Sequence, residues 1–218
     1  MSGKNHVSTG QSVEITLSAS ATVTKTSVGP MDNNAYLLQA GSGSVLIDAA
    51  HSAGTLTAVI DGRPVSTIIT THAHGDHWQA LAEVAAATGA ELVAGASDAG
   101  AIADGAGVSG IREVWDGDRI ALGDEQLEVI GLVGHTPGSI TLSYTAGDVV
   151  HLFTGDSLFP GGPGRTQSPT DFTSLLDDLE AKIFGRFDDA TVVHPGHGDD
   201  TTLGAERPQL GEWRARGW

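Results

Sequence analysis

The stretch TTHAHGDHW, residues 70–78, decides the fold of this chain. It follows Val65–Thr70, whose apolar and β-branched residues predict a strand. It leads into Trp78–Thr88, where apolar residues recur with the spacing of one helix face, and this spacing predicts a helix. Polar side chains at such a strand-to-helix junction lie on a loop, where functional groups gather. A functional site is therefore expected here.

The histidines and the aspartate of this stretch have the spacing of metal ligands. His72 and His74 are two residues apart, so an extended backbone projects both to one side. Gly75 allows a sharp turn, after which Asp76 and His77 can face a neighbouring point. Neutral imidazoles and a carboxylate are good ligands for zinc or iron. A lone His-x-His is more often a solvated loop, but the full His-x-His-x-Asp-His pattern at this junction favours a metal site.

Three later residues complete the donor set. His135 lies in the motif GHTPG, Asp156 in TGDS and His197 in HPGHG. Each motif follows a segment that predicts a strand, and each residue taken singly would more often belong to a turn. Together with the histidine stretch, the three residues supply enough donors for two metal coordination spheres.

Groups of strands alternate with helices along the chain. Short segments rich in Val, Ile and Thr, separated by Gly, Asn or Pro, predict an antiparallel group of strands before the histidine stretch. A second group of strands follows, and each group is accompanied by helices. This order predicts an α/β fold in which two sheets pack together with helices outside. The predicted strands are Val13–Leu17, Ala21–Ser27, Ala35–Gln39, Val45–Asp48, Val65–Thr70, Glu91–Ala94, Glu113–Trp115, Arg119–Ala121, Gln126–Leu132, Ile140–Tyr144, Val149–Thr154 and Thr191–His194, and the predicted helices are Thr55–Ile60, Trp78–Thr88, Ser97–Ala103, Phe172–Phe184 and Arg207–Trp213.

The helix predicted over Phe172–Phe184 has the clearest signals. Ser168 provides an N-cap, Pro169 a first-turn proline and Asp171 an acid near the positive end of the helix. Apolar residues with helical spacing form one stripe, which predicts a buried face. Gly185 ends the pattern.

Length, charge and composition narrow the function classes. A chain of 218 residues fits one domain, and we expect residues 1–12 to form a flexible tail and residues 13–218 a single domain. The 27 acidic residues outnumber 11 basic ones, and the net charge of −16 disfavours nucleic acid as a partner. The absence of Cys excludes disulfides and thiolate metal ligands. We expect a cytoplasmic protein with no membrane partner, because no apolar run or signal-peptide core is visible.

These motifs, in this order, resemble the metallo-β-lactamase superfamily, and in particular its glyoxalase II-like (hydroxyacylglutathione hydrolase-like) branch. The resemblance covers about residues 25–205 and includes the stretches NNAY, LID, HTPG, GDSLF and PGHG. It implies a four-layer αβ/βα sandwich of two packed mixed sheets with outer helices and a site at one edge. It also implies that His72, His74 and His135 hold a first metal, that Asp76, His77 and His197 hold a second, and that Asp156 bridges the two.

The resemblance implies two divalent metal ions as cofactors, with zinc preferred and iron or manganese as alternatives. Two such ions lower the pKa of a shared water, so that hydroxide exists near neutral pH and attacks a carbonyl. Asp76 and Asp156 are the predicted catalytic residues, and Asp76 can orient the nucleophile or shuttle a proton. A thiolate leaving group needs little protonation, so we expect a small acyl thioester or ester as substrate. The oligomeric state stays open.

The end of the chain departs from full-length glyoxalase II enzymes. Those enzymes carry a helical C-terminal domain that supplies much of the glutathione site, whereas here only residues 199–218 remain after the last motif. We therefore expect weak dependence on the glutathione portion of a substrate. Arg165, in the turn GGPGR, is the candidate substrate-binding residue because a guanidinium suits a planar carboxylate. The alternative interpretation of Arg165 is a surface turn residue.

Other activities use similar donors. Lactone hydrolysis applies the same hydroxide to a cyclic ester, and β-lactam hydrolysis of the all-His/Asp type does not require Cys. A persulfide dioxygenase of this superfamily uses one iron, and the presence of Asp76 and His197 argues against it. RNA-processing nucleases are disfavoured by the net charge of −16. A non-catalytic metal-stabilised module would not need open coordination positions.

Overall fold

The first of two main sheets comes from the N-terminal half of the chain. The computed structural model describes residues 5–217. Within them the first sheet contains, in spatial and sequence order, β1 (Ser12–Thr16), β2 (Ala21–Val28), β3 (Asn33–Ala40), β4 (Gly43–Ile47), β5 (Thr67–Thr70), β6 (Glu91–Gly95) and β7 (Arg112–Val114). Neighbouring strands are antiparallel from β1 to β4 and parallel from β4 to β7.

The second sheet comes from the later strands. These are β8 (Arg119–Leu122), β9 (Glu125–Gly131), β10 (Ile140–Ala146) and β11 (Val149–Gly155), then the small separate hairpin β12 (Leu158–Phe159) and β13 (Gly162–Pro163), then β14 (Val192–Pro195) and β15 (Thr201–Thr202). Across the sheet the order is β15, β14, β11, β10, β9 and β8. Strands β11 and β14 are parallel and the other pairs are antiparallel. Both sheets are therefore mixed.

Helices cover the outer face of each sheet. The α-helices among residues 5–217 are α1 (Ala53–Ile60), α2 (Leu81–Thr88), α3 (Ala96–Ala106), α4 (Pro169–Asp178), α5 (Leu203–Glu206) and α6 (Leu210–Arg216). Short 3-10 turns occupy Gly75–His77 and Arg207–Gln209. None of the helices in this part of the chain combines the length and apolar character needed to cross a bilayer.

Three apolar clusters separate the layers. The cluster between the two sheets includes Val45 and Ile47 of β4 and Phe153 of β11. Leu46 of β4 points to the opposite face, since successive strand residues alternate, and it joins a second cluster under α1, α2 and α3. The third cluster packs α4, α5 and α6 on the second sheet. The order helix, sheet, sheet, helix confirms the expected four-layer αβ/βα sandwich.

Helix α4 begins where the sequence predicts it. The Oγ of Ser168 accepts a hydrogen bond from the backbone N of Asp171 at 3.2 Å, and Pro169 occupies the first turn. This cap satisfies one of the unpaired N–H groups at the helix start. The predicted apolar stripe is buried, but the segment Leu179–Phe184 continues as a π-helix instead of as an α-helix, and Gly185 follows it.

Helix α2 begins at Leu81, three residues later than predicted. The backbone of Trp78 is not helical, with φ −143° and ψ 13°. Its indole N–H donates a hydrogen bond to the Ala73 carbonyl at 2.9 Å. Its ring lies against Gly105 of α3, where an added Cβ would be only 2.4 Å away. These contacts hold Trp78 outside the helix and leave the preceding residues to form the 3-10 turn.

The segment before β1 contacts the rest of the chain from Asn5 onward. Val7 is buried, Asn5 Nδ2 donates to Asp200 Oδ2 at 3.0 Å, and His6 Nδ1 lies 2.6 Å from Asp199 Oδ1. The flexibility of residues 1–12 stays a prediction, and residues 1–4 lie outside the described residues. The assignment of 13–218 to a single domain also stays a prediction.

Strand β11 carries a buried histidine whose protonation opposes folding. His151 is 6% exposed, and its Nδ1 lies 3.1 Å from His194 Nε2. Burial and the neighbouring His194 lower the pKa of His151 to about 4, whereas an unfolded histidine has a pKa of about 6.5. Between these values the unfolded chain binds more protons than the folded chain, so stability falls as the pH decreases.

We expect His151→Gln to reduce this acid-dependent loss, because glutamine does not titrate and still offers hydrogen bonds to His194. Between pH 7 and pH 4.5, the unfolding free energy of the metal-free variant should fall by roughly 2 kcal/mol less than that of the wild type, with solvent screening allowed for. Urea unfolding at both pH values in the presence of a chelator measures the difference. Equal losses in the two proteins would contradict this account of His151.

Candidate metal centre

All seven predicted metal ligands meet at one edge of the sandwich. Each lies on a loop or turn that leaves a strand, and the strand ends place these loops side by side. The elements that supply them are the end of β5 for His72 and His74, the 3-10 turn for Asp76 and His77, the β9–β10 loop for His135, the end of β11 for Asp156, and the end of β14 for His197.

Three imidazoles form a first donor group. His72 Nε2 lies 3.1 Å from His74 Nδ1 and 3.3 Å from His135 Nε2. The donor atoms of the three residues all lie within 4.8 Å of one another. His72 and His135 are buried, whereas His74 is partly exposed. Three neutral imidazoles at this spacing could hold one metal ion and leave further positions open.

A carboxylate and two imidazoles form a second donor group. His77 Nε2 lies 3.1 Å from His197 Nε2. Asp76 Oδ2 lies 3.3 Å from His197 Nε2 and 3.5 Å from His77 Nε2. The side chain of His77 is 0% exposed and that of His197 is 22% exposed, so this group opens to solvent at His197.

Asp156 lies between the two donor groups. Its Oδ2 is 3.6 Å from His135 Nε2 and 3.4 Å from His197 Nε2, and its Oδ1 is 3.4 Å from His77 Nε2. This Oδ1 is buried and has no hydrogen-bond partner within residues 5–217. A buried carboxylate oxygen without a donor is costly. The converging nitrogen and oxygen atoms around it fit divalent cations.

The carboxylate of Asp48 holds His77 from behind. Asp48 Oδ2 lies 2.8 Å from His77 Nδ1 and also accepts a hydrogen bond from Thr71 Oγ1, while Asp48 Oδ1 accepts from the backbone N of Thr71. A proton on His77 Nδ1 leaves the lone pair of Nε2 facing the donor group, which is the tautomer a metal ligand needs. Asp48 is part of the matched stretch LID, but the sequence assigned it no role.

Backbone carbonyls hold two other ligand imidazoles. His135 Nδ1 donates to the carbonyl of Arg165 at 2.6 Å, and His197 Nδ1 donates to the carbonyl of Met31 at 2.9 Å. Both rings therefore also turn Nε2 toward Asp156. Arg165 thus contacts the site through its backbone, and its side chain is exposed.

Asp98 joins two ligand loops, although no role for it was predicted from the sequence. Asp98 lies in the first turn of α3 and is 2% exposed. It accepts hydrogen bonds from the backbone N of Ala73 at 2.9 Å, from the backbone N of Gly138 at 2.8 Å, and from Thr136 Oγ1 at 2.5 Å. Acids are common in the first turn of any helix, so the sequence offered no signal that this one is buried.

Burial and the nearby carboxylates shift the pKa values of the ligand histidines in opposite directions. Burial, with the nearby His77, lowers the pKa of His72 well below its usual value, and burial also lowers the pKa of His135. Burial opposes charge on His77 too, but Asp48 and Asp156 outweigh it and raise the pKa of His77 to about 10. A metal ion that binds His77 must therefore displace a proton, whereas His72 and His135 offer neutral imidazoles.

The family of the chain follows from a match over most of its length. The model of the metallo-beta-lactamase superfamily matches residues 28–199, a range that includes both donor groups. The chain belongs to the metallo-beta-lactamase superfamily. The resemblance that the motifs predicted is therefore confirmed.

Curated relatives in this superfamily include two hydroxyacylglutathione hydrolases. The one from Anaeromyxobacter dehalogenans is 35% identical over 167 residues, which are 76% of this chain and 61% of the relative. The one from Fuscovulum blasticum is 40% identical over 157 residues, which are 69% of this chain and 58% of the relative. The chain thus spans about three fifths of the length of these relatives.

A solved structure is also similar to the chain. It is that of TTHA1623 in a di-iron-bound form, with a TM-score of 0.69 and 31% sequence identity, and it covers 84% of this chain and 96% of that chain. The metallo-beta-lactamase fold implies binding of divalent metal ions, and the described residues include clusters of histidines and aspartates that could hold them.

Two glycines of the His197 loop differ in the space around them. A Cβ added at Gly196 would lie 2.2 Å from Asp156 Oδ1 and 2.7 Å from His77 Cε1. At Gly198 an added Cβ meets nothing within 4 Å, although the backbone has φ +65°. Alanine at Gly196 must therefore displace a candidate ligand, whereas alanine at Gly198 only strains the backbone.

We expect Gly196→Ala to lose bound metal and Gly198→Ala to keep it. The second variant should still be destabilised by about 1–2 kcal/mol because of its left-handed conformation. Elemental analysis of zinc after loading and dialysis, together with thermal unfolding, measures both effects. Full zinc content in Gly196→Ala would show that Asp156 and His77 do not form the metal site in this arrangement.

Proposed function

We propose that this superfamily member is a binuclear metal-dependent hydrolase that cleaves small acyl thioesters. The position of Asp156 carries the proposal, because its carboxylate faces both donor groups at 3.4–3.6 Å. A carboxylate in this position can be shared by two cations. Pairs of metal ions roughly 3.5–4 Å apart are a common arrangement in hydrolytic enzymes.

The two donor groups suggest an assignment of ligands to ions. Their nitrogen and carboxylate oxygen atoms suit zinc, and the di-iron form of TTHA1623 supports iron as the alternative. We assign His72, His74 and His135 to the first ion, Asp76, His77 and His197 to the second, and Asp156 to both.

The chain orients the carboxylates around the ions. Two divalent cations, when bound, supply an activated water near neutral pH and a Lewis acid for a carbonyl oxygen. Asn33 Nδ2 donates to Asp76 Oδ2 at 2.8 Å and to the Asp76 carbonyl at 3.0 Å, which restricts the carboxylate to one orientation. The Asp76 side chain is 20% exposed, so it can orient a nucleophilic water or carry a proton.

The surroundings favour a small acyl group and an easily released thiolate. A cavity of about 190 Å³ adjoins His135 and is lined by residues 133–137 with Gln167 and Asp171. Pockets for larger ligands usually measure roughly 300–1,000 Å³. Burial alone would raise the pKa of Asp156, but His197 and His77 hold it well below its usual range, so this carboxylate carries no proton for a leaving group. A thiolate needs none.

We expect the zinc-loaded chain to bind two ions and to release thiol from small hydroxyacyl thioesters. Asp156→Asn should lose both ions together and lower turnover by more than about 100-fold. Loss of a side chain that only hydrogen-bonds to a metal ligand already lowers metal affinity or activity about 10- to 100-fold. Asp199→Asn is the matched control. It also removes one negative charge, but from a residue that pairs with His6. Zinc analysis and a colorimetric thiol assay measure the two effects.

The same assay panel separates the competing activities. Turnover of lactones or β-lactams without thiol release would replace the thioesterase proposal and leave the metal assignment intact. Saturation at one ion, with oxygen uptake on a persulfide, would indicate the dioxygenase instead. Metal content and turnover that survive in Asp156→Asn would contradict the assignment of Asp156.

We further propose that the exposed side chain of Arg165 binds an acidic group of the substrate. A chain with 27 acidic and 11 basic residues repels anions, so a single guanidinium near the site should measurably strengthen the binding of an acidic substrate. Arg165→Ala keeps the carbonyl that holds His135 and should raise KM for acidic thioesters about 3- to 10-fold more than for neutral ones. The control is Arg112→Ala, because the Arg112 guanidinium pairs with Glu91. Equal effects on acidic and neutral substrates would exclude the Arg165 side chain from the site.

A further inference from the structure

Lys25 and Asp200 form a fully buried ion pair between the two sheets. Lys25 lies on β2 of the first sheet, and Asp200 lies between β14 and β15 of the second. Both side chains are 0% exposed, and Lys25 Nζ lies 2.7 Å from Asp200 Oδ1. Taking two charges out of water is costly, and apolar residues of similar volume often serve stability equally well. Stability alone therefore does not account for the pair.

Lys25 also bonds the loop that carries His197. Its Nζ donates to the carbonyl of Gly198 at 2.6 Å. The side chain of Asn34 on β3 donates to the same carbonyl at 3.0 Å and to the carbonyl of Pro195 at 2.9 Å. Polar side chains of the first sheet thus hold backbone carbonyls on both sides of His197, a residue that belongs to the second sheet.

Asp200 fixes the other end of this link within the second sheet. Its Oδ2 lies 3.0 Å from His194 Nδ1 and accepts a hydrogen bond from Asn5 Nδ2 at 3.0 Å. The His194 ring stacks on Phe153 with centroids 4.9 Å apart. Both oxygens of the carboxylate are therefore occupied, and Lys25 has a partner whose position is determined by the packing of β14.

We propose that the Lys25–Asp200 pair positions His197 and thereby sets the affinity of the second metal site. The inference rests on the two-metal assignment above. Asp76 and His77 follow β5 of the first sheet, whereas His197 follows β14 of the second, so this donor group closes only when the two sheets are held together at this edge. The first donor group is closed by other contacts, those of Asp98 and of the Arg165 carbonyl on His135.

The variant Lys25→Met tests the proposal because methionine keeps most of the volume and removes both hydrogen bonds. Metal-free protein is titrated with Zn²⁺ against a chromophoric chelator. The zinc affinity of one of the two binding steps should fall about 10- to 100-fold, which is the usual effect of losing a group that holds a metal ligand in place. The affinity of the other step should change by less than about twofold. His197→Ala should weaken the same step and so identify it as the second site.

A second measurement reports on the loop without any metal. Hydrogen–deuterium exchange of the backbone amides in residues 196–200 should accelerate at least about tenfold in metal-free Lys25→Met, because the loop opens more readily. Lys182→Met is the matched control. Lys182 Nζ also bonds a backbone carbonyl, that of Gly131 at 2.8 Å, and a carboxylate, that of Asp178 at 3.1 Å. This control should leave both zinc steps and the exchange unchanged.

Unchanged zinc affinity in Lys25→Met, or equal weakening of both steps, would overturn the proposal. If this variant does not fold, the double variant Lys25→Met with Asp200→Asn leaves no unpaired charge in the interior and still lacks the bond to Gly198. Wild-type zinc binding in the double variant would overturn the proposal too. If the wild-type chain saturates at one ion, the two-metal assignment is wrong. The hydrogen–deuterium exchange of residues 196–200 then decides whether Lys25 holds the loop.

Discussion

The hydrogen bonds accepted by Asp48 are the interaction on which the donor arrangement depends. Three donors, Thr71 N, Thr71 Oγ1 and His77 Nδ1, lie 2.8 Å from its two oxygens and join the ends of β4 and β5 beneath the ligand stretch. Asp48 has φ +58°, a left-handed conformation that Asp and Asn tolerate better than most residues. Asparagine offers one acceptor oxygen where a carboxylate offers two, so it cannot serve all three donors in this geometry.

Buried carboxylates link the other loops in the same way. Asp98 joins the histidine stretch to the loop of His135, and Asp200 joins β14 to the first sheet through Lys25. Each is at most 4% exposed, and each accepts hydrogen bonds from several donors, which offsets the cost of burying its charge. A strongly acidic chain thus uses some of its carboxylates as internal hydrogen-bond acceptors that join separate loops.

Local spacing was sufficient to predict the ligands of the histidine stretch and the start of helix α4, because the decisive residues of each lie within a few positions of each other. His135, Asp156 and His197 came from separate motifs, and their grouping into two sites came from the family resemblance. Contacts between distant segments were not predictable in this way. Gly198 and Asp200, the partners of Lys25, are 173 and 175 residues away. One signal for Lys25 was present. The first residues of β2 alternate between buried and partly exposed, and Lys25 falls on the same face as Val23, where a charge requires a partner. The hairpin β12–β13 has strands of two residues, too short for any periodic pattern.

Side-chain exposure shows where each donor group is open to solvent. In the first group, the side chains of His72 and His135 are 1% and 7% exposed, whereas His74 is partly exposed. In the second group, Asp76 and His197 are 20% and 22% exposed, and Met31, the residue whose carbonyl holds His197, is 55% exposed. Ligand exchange at a metal requires an accessible position. A ligand from solvent can therefore reach the donor atoms at His74 in the first group and at Asp76 and His197 in the second.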